Sequence, residues 1–395
     1  AAQAFRDLGY EAVMLNSNPE TVSTDYDTSD RLYLEPVTLE RTIDVCEIEG
    51  LLTGGGKGAS GGVVVTLGGQ TPLRIAADLQ EAGVPLLGDP LPAIAAAEDR
   101  GAFGAILDEL GIGAPRWAVA ETRAEAVAAA EKLGYPVLVR PHFVLGGRRM
   151  RIARTAQEIE IHEPSLVDQF LEEAVEIDVD FLCDGSSAWI AGILEHVEPA
   201  GVHSGDSACL IPGPSITASI EQEIAEIGVA LARRLGARGL INLQLALNDD
   251  GLSVIEANPR ASRTVPFVAK ATGVPLVHHA CRLMLGSTLG DLGLPPEHAP
   301  TRVWAKEAIF PDDRFVGAAD RGTEMKSTGE VMAGGTTASE AYSRALRAAG
   351  RSRAPGRIGP SLQELGGPGR EAVTVTAAIH VADAPLPDPP GLRDA

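Results

Sequence analysis

The chain has 395 residues, 45% hydrophobic and 22% charged, with a formal net charge of −21 at pH 7. That length is enough for two or three domains with sizeable cores. The acidic balance repels phosphate backbones and anionic lipid surfaces, arguing against nucleic-acid and membrane partners, yet it leaves a nucleotide site open, since that needs only local basic groups and a metal.

The first ninety residues alternate helical and strand signals. Ala1–Leu8 reads as a helix, and Glu11–Leu15 as a strand ending in the polar loop Asn16-Ser17-Asn18-Pro19. Leu39–Glu49 is helical. Leu51–Gly62 is glycine-rich with one lysine, Lys57, but lacks the GxxxxGK[ST] spacing of a phosphate loop and reads as a flexible insertion. Gly62–Leu67 is a buried strand running into Gly68-Gly69-Gln70, Leu73–Ala82 a helix and Pro85–Leu87 a short strand. This order predicts an α/β fold with a parallel sheet and helical crossovers. The chain opens on a helix where a doubly wound domain opens on a strand, so one edge of the sheet is expected to be missing.

From Pro92 the pattern changes. Ala93–Leu110 is predicted as one helix carrying Glu98-Asp99-Arg100, and Glu121–Leu133 as a second. A strand at Pro136–Arg140, a loop at Pro141–Gly147 and alternating segments to Ile211 follow. Ile216–Leu235 is a long amphipathic helix, and Gly239–Asn258 a hairpin. Residues 351–395 hold seven prolines and six glycines, and only Glu371–Val381 resembles a strand. Much of this tail is expected to be poorly ordered. No run reaches 18 apolar residues and Ala1–Gly9 has no signal-peptide pattern, so a cytoplasmic protein is expected. Cys46, Cys183, Cys209 and Cys281 lack ligand or CxxC spacing and are expected as reduced, buried thiols.

The hairpin carries the chemistry. In LINLQLALNDDGLSVIEAN (240–258) two alternating runs flank Asn248-Asp249-Asp250-Gly251, a strong turn signal. A three-residue loop, Asp249–Gly251, places Gln244 opposite Glu256 and Asn242 opposite Asn258, all on one face. Their oxygens suit Mg²⁺ or Mn²⁺. A solvated polar face is an equally good reading of the periodicity alone. Arg260, aimed by Asn258-Pro259, and Arg263 favour a metal-phosphate site, because guanidinium matches phosphate oxygens. Arg100 by spacing reads as a helix-surface residue and His203 as a turn residue. His162, His278 and His279 have no partner pattern, and Trp117, Trp189 and Trp304 are expected to pack locally.

Several long segments are specific. IEANPRASRTVPFVAKATGVPL (255–276), GVHSGDSA (201–208), NPETVSTDYDTSDRLYLEPVTLE (18–40), GGQTPL (68–73) and EMKSTGEVM (324–332) together resemble the large subunit of carbamoyl-phosphate synthetase, over roughly residues 1 to 349. The VSTDYDTSDRLY run and LEHVEPAGVHSGDSA (194–208) resemble the second of that subunit's two synthetase halves, which phosphorylates carbamate with ATP. The first half, the glutaminase small subunit and the allosteric domain are not recognisable in the chain, so a fragment or an incomplete gene product is expected, with the first half and the glutaminase small subunit as partners. The resemblance implies a Rossmann-like pre-ATP-grasp domain (1–91, incomplete), an ATP-grasp domain (92–290), a C-terminal part of the synthetase unit (291–350) and the tail (351–395).

The same resemblance implies the site. Arg100, Arg140, Gly146, Gly147, Gln169, Leu171 and Glu176 match ATP contacts, and Gly201, Val202, His203 and Ser204 match the loop that closes over the nucleotide. Gln244 and Glu256 match nucleotide and metal contacts, with Asn258 as a third metal ligand. Arg260 and Arg263, with Arg140, match the arginines that hold carbamate and the transferring phosphoryl group. Each role fits its chemistry: glycines admit backbone N–H groups to phosphate, Glu176 suits ribose hydroxyls, and Phe170-Leu171 offers an apolar seat for adenine. Phosphoryl transfer itself needs positioning and charge, and no nucleophilic side chain.

The chain departs from the family at His142, at Arg151 (an acidic position in the family), at Gly101-Ala102, and in a shorter Met150–Asp168 stretch, where a truncated helix is expected. Alternative readings are another ATP-grasp ligase such as a biotin carboxylase, and a nucleotide-binding module without catalysis. A nicotinamide dehydrogenase lacks its GxGxxG here.

Overall fold

A computed structural model describes residues 1–52, 61–141, 149–296, 300–311 and 322–351, and the backbone of residues 379 and 380. In chain order the elements begin with α1 (Ala2–Asp7), β1 (Val13–Asn16), β2 (Arg31–Leu34), α2 (Leu39–Ile48), β3 (Val63–Val64), α3 (Gln70–Arg74), α4 (Ala76–Glu81), β4 (Leu86–Leu87), α5 (Leu91–Glu98) and α6 (Arg100–Leu110). They continue with β5 (Trp117–Ala120), α7 (Arg123–Leu133), β6 (Val137–Pro141), β7 (Arg151–Ala153), β8 (Ser165–Gln169), β9 (Val175–Asp184), β10 (Ala188–His196), β11 (Cys209–Ile211) and α8 (Ala218–Leu235). The last are β12 (Arg238–Asn248), β13 (Gly251–Asn258), α9 (Thr264–Thr272), α10 (Leu276–Met284), β14 (Val303–Ile309), β15 (Gly329–Gly335), α11 (Ala338–Ala348) and β16 (Ile379–His380).

Two compact units divide these elements. The first comprises Ala1–Arg116, Glu173–Leu194 and Ile216–Ala299, the second Trp117–Glu172, Glu195–Ser215 and Pro300–Ala395.

In the first unit, β1 pairs with β2 and β3 with β4, both parallel; a 3₁₀ turn, Val22–Thr24, lies between the first pair, and α3 and α4 lie between the second. Cys46, Leu73, Leu79, Val84 and Ile94 fill the core beside β3 and β4. The strand expected over 62–67 is only Val63–Val64. Thr66 leaves the ladder, and its carbonyl accepts the Ala261 N–H at 3.0 Å. The helix expected over 93–110 is two helices, α5 and α6. Asp99 is extended (φ −87°, ψ 114°), and its carboxylate accepts the Ala102 N–H at 2.7 Å. That N-cap satisfies an amide which a continuous helix would bond internally. It sets Arg100 at the first helical position.

Strands β13, β12 and β9 run antiparallel in that order. Ile177, Val179 and Phe181 of β9, with Ile241, Leu243 and Leu245 of β12, point into a core completed by Ile224, Ile227 and Leu231 of α8. The spacing of those α8 residues makes one apolar stripe. Because side chains alternate across a strand, the even-numbered residues between them face the other way. Asp178, Asp180, Asn242 and Gln244 are therefore together on the opposite face. Asp89 ties α5 to the start of β12, accepting the Arg238 N–H at 2.6 Å. Burial pushes its carboxyl up to about 7, partly offset by that bond.

In the second unit, β5, β8, β6 and β7 form an antiparallel sheet in that order. Helix α7 packs on it through Ala126 and Ala130 against Val137, Val139 and Val167. β11, β14 and β15 form antiparallel neighbours, with Ala338, Ala341 and Ala345 of α11 against Leu210 and Ala305. The backbone of β16, inside the one strand-like stretch of the tail, pairs with β15. Between β7 and β8 a 3₁₀ turn, Ala156–Glu158, stands where the truncated helix was expected. Among the described residues no helix is long and apolar enough to cross a membrane. All four cysteines are free and buried.

Candidate metal and nucleotide site

The hairpin brings Gln244 opposite Glu256 and Asn242 opposite Asn258, the expected pairs. The route to that register differs from the expected one. The loop has two residues, since Asn248 pairs with Gly251, whose φ of +109° a side chain would strain. The missing loop residue returns as a bulge at Ile255, between the Gln244–Glu256 and Leu245–Val254 pairs. Arg100 occupies that bulge, its Nη1 donating to the Ile255 carbonyl. The arginine that by spacing read as a surface residue is thus half-buried against the hairpin.

Strand β9 extends the face. Asp178 lies opposite Gln244 and Asp180 opposite Asn242. Two rows of three result: Asp178–Gln244–Glu256 and Asp180–Asn242–Asn258. Glu176 lies one step further along the same face, opposite Ala246. Asp178 and Asp180 are buried, at 3% and 1% exposure, and sequence reasoning missed both. The one available signal was the acidic–apolar alternation of Glu176-Ile177-Asp178-Val179-Asp180.

Asp180 takes hydrogen bonds from Asn242 Nδ2 (3.0 Å), Ser262 Oγ (2.7 Å) and Thr264 Oγ1 (2.5 Å). Burial pushes its carboxyl up to about 6; the three donors pull it down, and the neighbouring Asp178 charge adds to the rise. Along β13, Asn258 Nδ2 donates to Glu256 Oε1 at 2.9 Å, and Arg260 Nη2 donates to Asn258 Oδ1 at 3.2 Å. Glu256, Asn258 and Arg260 thus form one chain of contacts. Arg263 is exposed at the start of α9. A carboxylate and two amides on adjacent strands are a donor set that suits a hard divalent cation, which takes oxygen ligands and keeps positions for phosphate. By that chemistry Glu256 and Gln244 fit the group, with Asn258 beside them.

In the second unit, Arg140 Nε donates to Asp168 Oδ2 at 2.8 Å, fixing the guanidinium across β6 and β8. Gln169 ends β8, and Leu171 follows two residues on, half-buried. Gly146 and Gly147, like His142, lie outside the described residues. Gly201 (φ +94°) packs so closely that a Cβ would sit 2.9 Å from Ile152 and 3.1 Å from Phe170. The 201–204 loop and the segment around Phe170 therefore meet in this unit. Gly201 and Val202 also line a cavity of about 620 Å³, with Met150, Ile152, Thr323 and a charged edge of Arg151, Glu158 and Glu160.

His203 organises its turn: its Nδ1 accepts the Gly205 N–H at 3.0 Å, and its own N–H reaches the Gly322 carbonyl at 2.8 Å. Lys306 Nζ donates to the Ser204 carbonyl at 3.4 Å. Buried Asp206 accepts the backbone N–H groups of Lys326 and Ser327, each at 2.9 Å, and Ser327 Oγ donates to the Gly205 carbonyl. The EMKSTGEVM segment therefore braces the 201–207 loop. Arg151 is paired with Glu160 at 2.6 Å, Arg149 with Glu163 at 3.1 Å, and Arg154 with Glu172. Arg151 thus has its counter-charge within the stretch between β7 and β8.

Residues 1–96 match the carbamoyl phosphate synthase preATP-grasp domain model, and residues 99–292 match the model for the carbamoyl-phosphate synthase L chain, ATP binding domain. The chain belongs to the carbamoyl-phosphate synthase large-chain family. Large chains from Kineococcus radiotolerans and Mycobacterium tuberculosis are each 50% identical to it over 360 residues, 84% of this chain and 32% of theirs. One from Methanothermobacter thermautotrophicus is 50% identical over 346 residues, with the same coverage. The chain thus spans about a third of the length of these carbamoyl phosphate synthase large chains.

Solved structures share the fold at low identity. The biotin carboxylase domain of Hydrogenobacter thermophilus 2-oxoglutarate carboxylase, in complex with MgADP and bicarbonate, superposes with a TM-score of 0.65 at 18% identity, covering 80% of this chain and 73% of that one. N5-carboxyaminoimidazole ribonucleotide synthetase from Thermotoga maritima gives 0.65 at 13% identity, covering 88% and 94%. These likenesses show the fold; the two family-model matches establish a pre-ATP-grasp domain followed by an ATP-grasp domain.

Proposed function

We propose that this chain is the ATP-grasp ligase segment that phosphorylates carbamate to carbamoyl phosphate, the second synthetase half of its family. The observation that carries this reading is the Asp178–Gln244–Glu256 row, with Asn258 joining Glu256 to Arg260. Acceptors for a cation and a guanidinium for an oxyanion stand on adjoining residues. The match to an ATP binding domain model and the MgADP complex of a fold relative support nucleotide and Mg²⁺ as ligands.

In this reading a carbamate oxygen attacks the γ-phosphorus of ATP, the bond to the bridging oxygen breaks, and ADP leaves. Arg260 and Arg263 hold carbamate and the transferring group, and Arg100 and Arg140 neutralise phosphate charge. Gln169, Leu171 and Glu176 take the nucleoside, Gly146 and Gly147 offer backbone N–H groups to phosphate, and Gly201–Ser204 close over the nucleotide. Gln244, Glu256 and Asn258 would hold Mg²⁺, with Mn²⁺ as the alternative ion, and the cation would supply charge neutralisation to the phosphate groups. The domain limits are 1–91, 92–290, 291–350 and a 351–395 tail. The first synthetase half and a glutaminase small subunit are the partners that would supply carbamate.

Calorimetric titration with ADP tests the nucleotide–metal part. The chain is expected to bind ADP about tenfold or more tightly with Mg²⁺ than with EDTA. Equal affinity in the two conditions would remove the hairpin face from nucleotide binding.

A further inference from the structure

The turn Pro259–Arg263 carries both arginines proposed to hold the transferring group. The arginines themselves do not shape it: Arg260 reaches back to Asn258, and Arg263 is exposed. Ser262, between them, turns inward and donates to Asp180 Oδ1 at 2.7 Å, and Thr264, just past Arg263, donates to Asp180 Oδ2 at 2.5 Å. The Thr264 N–H adds a 3.2 Å bond to Ser262 Oγ, and Ala261 N–H a 3.0 Å bond to the Thr66 carbonyl. Asp180 is in turn fixed to the central strand by Asn242 Nδ2 at 3.0 Å.

A carboxylate at 1% exposure is costly to keep away from water, and apolar replacement of such buried charges is often neutral or stabilising. What Asp180 adds is geometry. Both of its oxygens are committed, one to each of two residues that alternate with the arginines in sequence. We propose that Asp180 is a positioning residue which, through Ser262 and Thr264, sets where Arg260 and Arg263 stand relative to the Gln244–Glu256 row. The proposal rests on the phosphoryl-transfer reading given above.

The test uses the whole chain, with ATP formation from carbamoyl phosphate and ADP·Mg²⁺ as the activity and calorimetry for ADP binding. Variants are Asp180→Asn, Ser262→Ala with Thr264→Val, and Thr264→Ser. The Asn variant and the double variant are expected to lose about 10- to 100-fold in kcat/KM for carbamoyl phosphate, as loss of supporting contacts does at other sites. ADP·Mg²⁺ affinity should stay within about twofold, because the nucleotide residues are untouched. Thr264→Ser keeps the hydroxyl and should retain near wild-type activity. Wild-type kinetics in the double variant would overturn the proposal, as would a parallel loss of ADP affinity and thermal stability. The double variant decides the matter should Asp180→Asn not fold. A wild-type chain that neither binds ADP nor makes ATP would overturn the functional reading itself, and this proposal with it.

Discussion

Glu256→Gln is expected to reduce ATP formation from carbamoyl phosphate and ADP on the order of 10³-fold while leaving the fold intact. The substitution keeps size and shape and removes one negative charge. Glu256 stands in a row with Gln244 and Asp178, and its Oε1 takes the Asn258 amide. If Glu256 holds the ion that screens phosphate oxygens, its charge is what keeps that ion in place. A bound cation is worth several kcal/mol of charge stabilisation, and about 1.4 kcal/mol is a factor of ten in rate. The fold should persist because Glu256 lies outside the apolar core, whose β13 members are Leu252, Val254 and Ala257. The check is kcat beside a thermal melt. A variant that melts like wild type and retains more than about a tenth of its activity would show that Glu256 is not a ligand.

Arg260→Lys is the second large effect, expected at about 10²-fold in kcat with little change in ADP affinity. Arg260 presents a planar guanidinium with Nη2 committed to Asn258 Oδ1. Its remaining N–H groups can meet an oxyanion at the same time. An ammonium is a point charge that cannot keep both contacts with the same directionality. The loss belongs in kcat because those contacts strengthen as charge develops on the transferring group. Wild-type kcat in the lysine variant would leave Arg260 as a support for Asn258 and nothing more.

The Gln244–Glu256 and Asn242–Asn258 pairs were readable from the sequence because strand parity and the Asn-Asp-Asp-Gly turn constrain them jointly. The loop length was misread, and the bulge at Ile255 cancels the error. Nothing local announces that bulge: its carbonyl is taken by Arg100, 155 residues earlier in the chain. Asp178 and Asp180 look like the polar side of an ordinary alternating strand, and their role appears only once β9 is laid against β12. Such pairings are non-local and leave no short-range signature.

The α5–α6 break was missed for a different reason. Glu98-Asp99-Arg100 fits a solvated helix face, and only the bond from the Ala102 N–H identifies Asp99 as a cap. The EMKSTGEVM segment was visible as a resemblance, but its bracing of the 201–207 loop runs through backbone N–H groups onto Asp206. A side-chain pattern cannot show that. The assignment of Gln169, Leu171 and Gly201–Ser204 to a nucleotide came from resemblance alone, and the contact of Gly201 with Phe170 is the physical link between those segments.

The most direct measurement is ATP formation by the purified 395-residue chain supplied with carbamoyl phosphate, ADP and Mg²⁺. ATP is expected to appear at a rate proportional to the protein added and to stop when the metal is chelated. Normal Mg²⁺-dependent ADP binding with no ATP formed would contradict phosphoryl transfer and leave a nucleotide-binding module in its place.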